Sequence, residues 1–178
     1  YNLILNNEIK LSPINNFTDA IDFNGQIITI PDFTGYDYIN NQNECLSTTD
    51  DYHGYHVAGI IGGNGVVSGV APNAQIVALK FMGNDGEGST DHLIRAIEDA
   101  VILGVDVINM SIGSPYGIVS DELIEYKAIK KASESGIVCC IGAGNDGTAD
   151  GEMSYNNRYN MMDTATINSP ATTKESLS

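Results

Sequence analysis

Basic residues are scarce in this chain: eight Lys and Arg stand against 23 Asp and Glu, a formal net charge of −15. Phosphate backbones and anionic membrane surfaces repel such a charge, so nucleic acid is not an expected partner. Cysteine is equally sparse. Cys45, Cys139 and Cys140 are too few and too oddly placed for a disulfide framework. Adjacent in an apolar run, Cys139 and Cys140 point to opposite faces of a strand and read as buried thiols. No apolar run approaches the roughly 18 residues that cross a bilayer, so no membrane span is expected. The opening "YNLILNNEIKL" lacks the basic start and apolar length of a signal peptide, and a signal upstream of residue 1 is left open. The pair His53 and His56 has no Glu between its members and no third ligand at helical spacing. The zinc-protease motif is therefore absent and no metal site is assigned. His92 reads as plain surface.

What is present is globular. The composition is 42% hydrophobic and 17% charged, and 178 residues make one domain or most of one, burying roughly 70% of the unfolded surface. Strands are expected in "QIITI" and "YDYI", and from Asp50 onward apolar strands alternate with amphipathic helices. "HGYHVAGIIGG" reads as a short helix, "AQIVALKFM" as a strand, and "STDHLIRAIEDAVILG" as a helix stopped by Gly104. "VDVINMS" follows as a strand, "VSDELIEYKAIKKASESG" as a helix stopped by Gly136, and "IVCCI" as a third strand. This alternation implies parallel strands with right-handed crossovers and helices on both faces. The tail "SPATTKESLS" approaches another strand.

In such sheets ligands bind beyond the carboxyl ends of the strands. Three loops qualify: "GNDGEGST", "SIGSPYG" and "GAGNDGTADGE". The third begins as Gly142-x-Gly144-x-x-Gly147, the spelling of a dinucleotide-binding turn. That turn needs a helix to open within the motif, and the polar "TADGEMSYNNRYN" has no helical spacing.

Four segments in order, "HGYHVAGIIGG", "GVAPNAQIVALKFM", "DVINMSIGS" and "GIVCCIGAGNDG", resemble the subtilisin-like serine proteases. The likeness runs from about Gly35 to the C-terminus, with the secreted and cell-envelope, lactocepin-like subgroup nearest. It implies an α/β fold, a three-layer αβα arrangement with a mainly parallel sheet, and peptide-bond hydrolysis. Under it His53 matches the general base and Asn145 the oxyanion-hole donor. Ser111, Ile112 and Gly113 match one substrate-binding wall, and Gly86, Glu87 and Gly88 the opposing edge. It also implies polypeptide substrates, a secreted or cell-surface location and no cofactor for the chemistry. Structural calcium is left open without a ligand set; the loop "IIGGNGVVS" is shorter than the calcium loop of the best-known subtilisins.

Two catalytic motifs of that family do not occur. The nearest imitation of the aspartate motif is "IITIPDFTG", where Phe follows Asp32, so Asp32 reads as a loop residue. Gly-Thr-Ser-Met-Ala is nowhere, and Ser111 belongs to the substrate wall. Residues 1–178 are thus expected to form the central portion of one catalytic domain. They would lack the upstream Asp motif and the downstream Ser motif, be inactive alone, and need the remaining part of the domain as partner. Tyr52 and Tyr55 replace smaller family residues. The competing reading is a catalytically incomplete pseudoprotease acting as a binding or regulatory module; a nucleotide-binding protein comes third.

Overall fold

Parallel strand pairing organises both halves of the chain. The computed structural model describes residues 20–21, 27–28, 33–42, 53–83, 85–114, 120–145 and 167–178, within two compact units, Tyr1–Ala96 and Ile97–Ser178.

In the first unit β1 (Ala20–Ile21) and β2 (Ile27–Ile28) pair antiparallel. β3 (Phe33–Asp37) pairs parallel with β4 (Ile76–Lys80), in register from Phe33 opposite Ile76 to Asp37 opposite Lys80. A parallel pair needs a long crossover, and α1 (His53–Gly62) lies within it. The last turn of α1 would leave carbonyls without partners, but the following loop supplies them. Gly63, Val70 and Ala71 donate their N–H groups to the oxygens of Gly59, Ile60 and Ile61 at 2.9, 2.9 and 2.7 Å. Gly62 lets the helix approach β4, since a Cβ there would lie 2.8 Å from Ile76 Cδ1.

β3 begins later than "QIITI" and earlier than "YDYI", so the sequence pattern misplaces it; β2 alone falls inside "QIITI". Asp32 lies outside the described residues. The aspartate that matters to this strand is Asp37, at its carboxyl end and fully buried. Its carboxylate accepts from the backbone of Ile39 and Asn40 at 2.8 and 3.0 Å, from Asn40 Nδ2 at 2.8 Å and from Lys80 Nζ at 3.2 Å. Burial pushes this carboxyl up. The bonds from Asn40, Lys80 and Ile39 outweigh it and hold the group below its ordinary 3.8.

α2 (Thr90–Leu103) opens on Ser89, whose Oγ accepts from His92 N at 3.2 Å as an N-cap, and Asp91 pairs with Arg95 one turn on. Leu93, Ile94, Ala96, Ile97 and Ala100 form its buried stripe. His92 is half-buried with an enclosed Nδ1, not the plain surface residue expected.

In the second unit β5 (Val107–Met110), β6 (Val138–Ile141) and β7 (Ser176–Leu177) form a parallel sheet in that order. α3 (Ile124–Glu134) lies against β6 through Tyr126, Ile129 and Ala132, three residues apart on one face. α3 starts later than the apolar spacing suggests. Ser120 takes the N–H groups of Glu122 and Leu123 on its Oγ and carbonyl, at 3.2 and 3.0 Å, and closes a turn first. It stops where expected: Gly136 has φ +90°, and Ile137 N returns to Ala132 O. β5 is buried only at its carboxyl end, at Met110. Val107 is 55% exposed because β5 is an edge of the described sheet.

Asp37→Ala would strand Lys80 and three further donors. The expected loss is about 3 kcal/mol, the low end for a broken buried pair because Lys80 keeps some solvent contact. A carboxyl lowered in the folded state stabilises above its unfolded value and loses that contribution as pH falls through the folded one. The ionisation-linked part of the difference between wild type and variant in urea unfolding should therefore be constant well above pH 3.8 and shrink as pH falls from there through the lower folded value.

Candidate active site

The ends of β5 and β6 finish level. Met110 stands opposite Ile141, and Gly142 N donates to Met110 O at 2.9 Å, which carries the ladder one step beyond the strands. Two loops leave side by side from this point, Ser111–Ser114 from β5 and Gly142–Asn145 from β6.

A third segment locks them. Asn168 N donates to Ala143 O at 2.9 Å, while Ser114 and Ser169 exchange backbone bonds at 2.9 and 3.1 Å. The Asn168 side chain, only 4% exposed, lies between glycines of both loops. A Cβ on Gly113 would sit 2.7 Å from Asn168 Cβ, and one on Gly144 would sit 2.4 Å from Asn168 Cγ. Neither glycine has room for any other residue while Asn168 stays in place. Gly144 also has φ +103°, a conformation that L side chains rarely adopt. Asn145 follows directly and is exposed, as are Ser111 and Gly113; Ile112 is half-buried.

The segment that carries Asn168 is itself anchored. Tyr126 of α3 shares hydrogen bonds through its hydroxyl with Ser169 Oγ, at 3.2 Å, and with Thr172 Oγ1. Thr173 Oγ1 donates to Pro170 O at 3.0 Å, closing the turn.

The remaining candidates belong to the other unit. His53 is the first residue of α1 and exposed, while the helix buries Ala58, Gly59 and Gly62. Its position at an exposed helix start leaves the imidazole reachable. Gly86, Glu87 and Gly88 form the returning arm of a tight loop. Gly83 N donates to Glu87 O at 2.8 Å, Asp85 Oδ1 accepts from Glu87 N at 3.0 Å, and Gly88 bridges Met82. Phe81 and Met82 crowd Gly88, so the arm runs flat against them. Glu87 itself faces solvent.

The structure thus groups Ser111, Ile112, Gly113 and Asn145 in one unit, and His53 with Gly86, Glu87 and Gly88 in the other. Among the described residues no cluster of three His, Cys, Asp or Glu could hold a metal ion. The dinucleotide spelling finds no support at its start: Ala143 O is taken by Asn168 N, not by a helical turn. Cys139 is buried, and burial, then the neighbouring Cys140, push its thiol up, which keeps it protonated and inert. Cys140, expected buried as well, is half-buried; Cys45 lies outside the described residues. Sequence reasoning missed Asn168, which "NSP" presents as an ordinary loop residue. Its burial comes from packing against Gly113 and Gly144, glycines of two distant loops, and no local pattern encodes that.

A model of the subtilase family matches residues 12–178. The chain belongs to the subtilase family. It is 37% identical over 182 aligned residues to the PIII-type proteinase of Lactococcus lactis subsp. cremoris (strain SK11), covering 94% of this chain and 9% of that protein. The minor extracellular protease Vpr of Bacillus subtilis (strain 168) is 32% identical over 82% of this chain and 17% of its own length. The major intracellular serine protease of the same organism is 38% identical over 80% of this chain and 45% of its own length. Among solved structures, a cold adapted subtilisin-like serine proteinase superposes with a TM-score of 0.55 at 27% identity, covering 77% of this chain and 45% of that one. The fold class is accordingly the subtilisin-like α/β one, with helices and parallel strand pairing in each unit, in keeping with part of its three-layer arrangement. The chain spans about a tenth of the length of that lactococcal proteinase.

Two glycines of one loop should respond differently to alanine. Gly142 has its nearest neighbours at 3.7 Å and no positive φ, so Gly142→Ala should change stability by less than about 0.5 kcal/mol. Gly144→Ala meets both the backbone penalty, of order 1–3 kcal/mol, and the Asn168 side chain. Thermal unfolding of the two variants should separate them; equal losses would contradict the packing at Asn168.

Proposed function

We propose that this chain is the central portion of the catalytic domain of a serine endopeptidase that hydrolyses polypeptides. Membership of the subtilase family supports the hydrolytic chemistry. The observation that carries the residue roles is the level ending of β5 and β6, which puts Asn145 beside the Ser111–Gly113 loop.

In this reading His53 is the general base. It takes the proton from a serine hydroxyl as the oxygen attacks the peptide carbonyl carbon, then returns it to the departing amine. Water repeats the sequence on the acyl-enzyme. The carbonyl oxygen becomes negative in the tetrahedral intermediate, and the Asn145 carboxamide donates to it there, where charge develops. Ser111-Ile112-Gly113 and Gly86-Glu87-Gly88 are each a substrate-binding edge, and backbone hydrogen bonds to such an edge hold an extended peptide as an added strand. The serine and aspartate of the triad come from sequence outside these 178 residues, so the isolated chain is inactive. No cofactor takes part in the chemistry. Secretion is the location most in keeping with a relative named as extracellular.

In the full natural protein a fluorophosphonate probe should label a serine, and His53→Ala should abolish both labelling and peptide cleavage. Asn145→Ala should lower kcat by about 10²–10³-fold with little change in KM, a magnitude that is a subtilisin's own and is carried over to this relative. Absence of any labelled serine would favour the non-catalytic binding module instead.

Glu87 is exposed on the proposed edge and favours basic residues in the substrate. An exposed ion pair is worth up to about 1 kcal/mol. Glu87→Gln should therefore lower kcat/KM several-fold for peptides with lysine or arginine on that side, and leave neutral peptides unaffected.

A further inference from the structure

We propose that Asn168 is a positioning residue for the oxyanion donor, acting through Gly144. This rests on the role proposed above for Asn145.

The argument is one of space and leverage. Gly144 immediately precedes Asn145, and its φ of +103° is one of the many backbone states open to glycine, so its packing selects which one is adopted. What surrounds it is the carboxamide of Asn168, which occupies the position a side chain on Gly144 would take. The opposite side of Asn168 rests on Gly113, whose loop is bonded to the Asn168 segment by the two-way Ser114–Ser169 bridge. The side chain is thus a wedge between two loops that leave adjacent strands. Its backbone is fixed at one side by Ala143 O and at the other by the Tyr126 anchor on α3. Removing the wedge empties the space beneath Gly144 and lets the turn before Asn145 adopt other conformations. A donor that must meet an oxyanion at hydrogen-bond distance loses effect with small displacement, and ångström-scale misplacement costs roughly 10²-fold in rate.

Asn168 also adjoins the proposed substrate wall, so it must be distinguished from a residue that simply touches substrate. A residue acting through Asn145 has nothing to act on once Asn145 is gone, and the two effects are then non-additive. A substrate contact or a general structural support keeps its effect in either background.

The experiment is a double-mutant cycle in the full natural protein with Asn168→Ala and Asn145→Ala, reading kcat and KM separately beside thermal unfolding. With Asn145 present, Asn168→Ala should lower kcat by about 10- to 10²-fold. With Asn145→Ala in place, the same change should alter kcat by less than about twofold, the margin expected of a lost coupling. Asn168→Ser, smaller but still polar, gives the same comparison if the alanine variant fails to fold. An equal loss of kcat in both backgrounds would overturn the inference. So would an effect confined to KM that varies with the substrate residue beside the scissile bond. If Asn145→Ala itself left kcat intact, the reading of Asn145 would fall and this inference with it. If Asn145→Ala lowered kcat while Asn168→Ala did not, only the role of Asn168 would fall.

Discussion

The register between β5 and β6 governs the candidate site. Four opposed pairs, from Val107 with Val138 to Met110 with Ile141, bring both strands to the same level before either chain turns away. A shift of one residue would reverse which side chains face the core and separate Ser111 from Gly142. The bond from Gly142 N to Met110 O fixes that level at the point where the loops begin. α3 supports it from the face of β6, where Ile129, Ala132 and Cys139 are essentially without solvent contact. Placement of the loops is thus a product of strand pairing and core packing before any functional side chain is considered.

Much of this was legible in the sequence, and the parts that were not share a cause. Helix stops at Gly104 and Gly136 and the strands β4, β5 and β6 follow from periodicity and punctuation, which are local properties. The three strand-end loops followed from topology, and their motifs from likeness to the subtilases. Three features were not legible. Asp37 sits in a polar stretch where nothing marks it as buried; its partner Lys80 lies on the neighbouring strand. β3 was misplaced because its flanks lack clean alternation, and its position depends on pairing with β4. Asn168 reads as loop because its burial depends on two glycines in two other segments. Each is a polar or irregular feature determined by a distant partner, and hydropathy patterns carry no record of distant partners.

The two loops of the candidate wall differ in what keeps them in place. Gly113 and Gly144 contribute absence of side chain, Asn168 contributes volume, and the bridge between Ser114 and Ser169 contributes direction. None of these substitutes for another. A larger residue at either glycine displaces the amide, and a smaller one at Asn168 leaves the glycines unsupported. Their identities are therefore coupled even though they stand in three separate stretches of the chain.

The tether that carries Asn168 is electrically neutral throughout: the hydroxyls of Tyr126, Ser169 and Thr172, and backbone amides. The ion pair beside it, Lys174 with Asp121, lies well exposed to solvent. The chain as a whole nonetheless carries a charge of −15, whose field reaches outward about 8 Å before physiological salt damps it. Under the proposed function, ionic surroundings can therefore alter how often a cationic peptide arrives without altering the geometry it meets. Recruitment and alignment are separated in the molecule, one left to the medium and the other kept out of its reach.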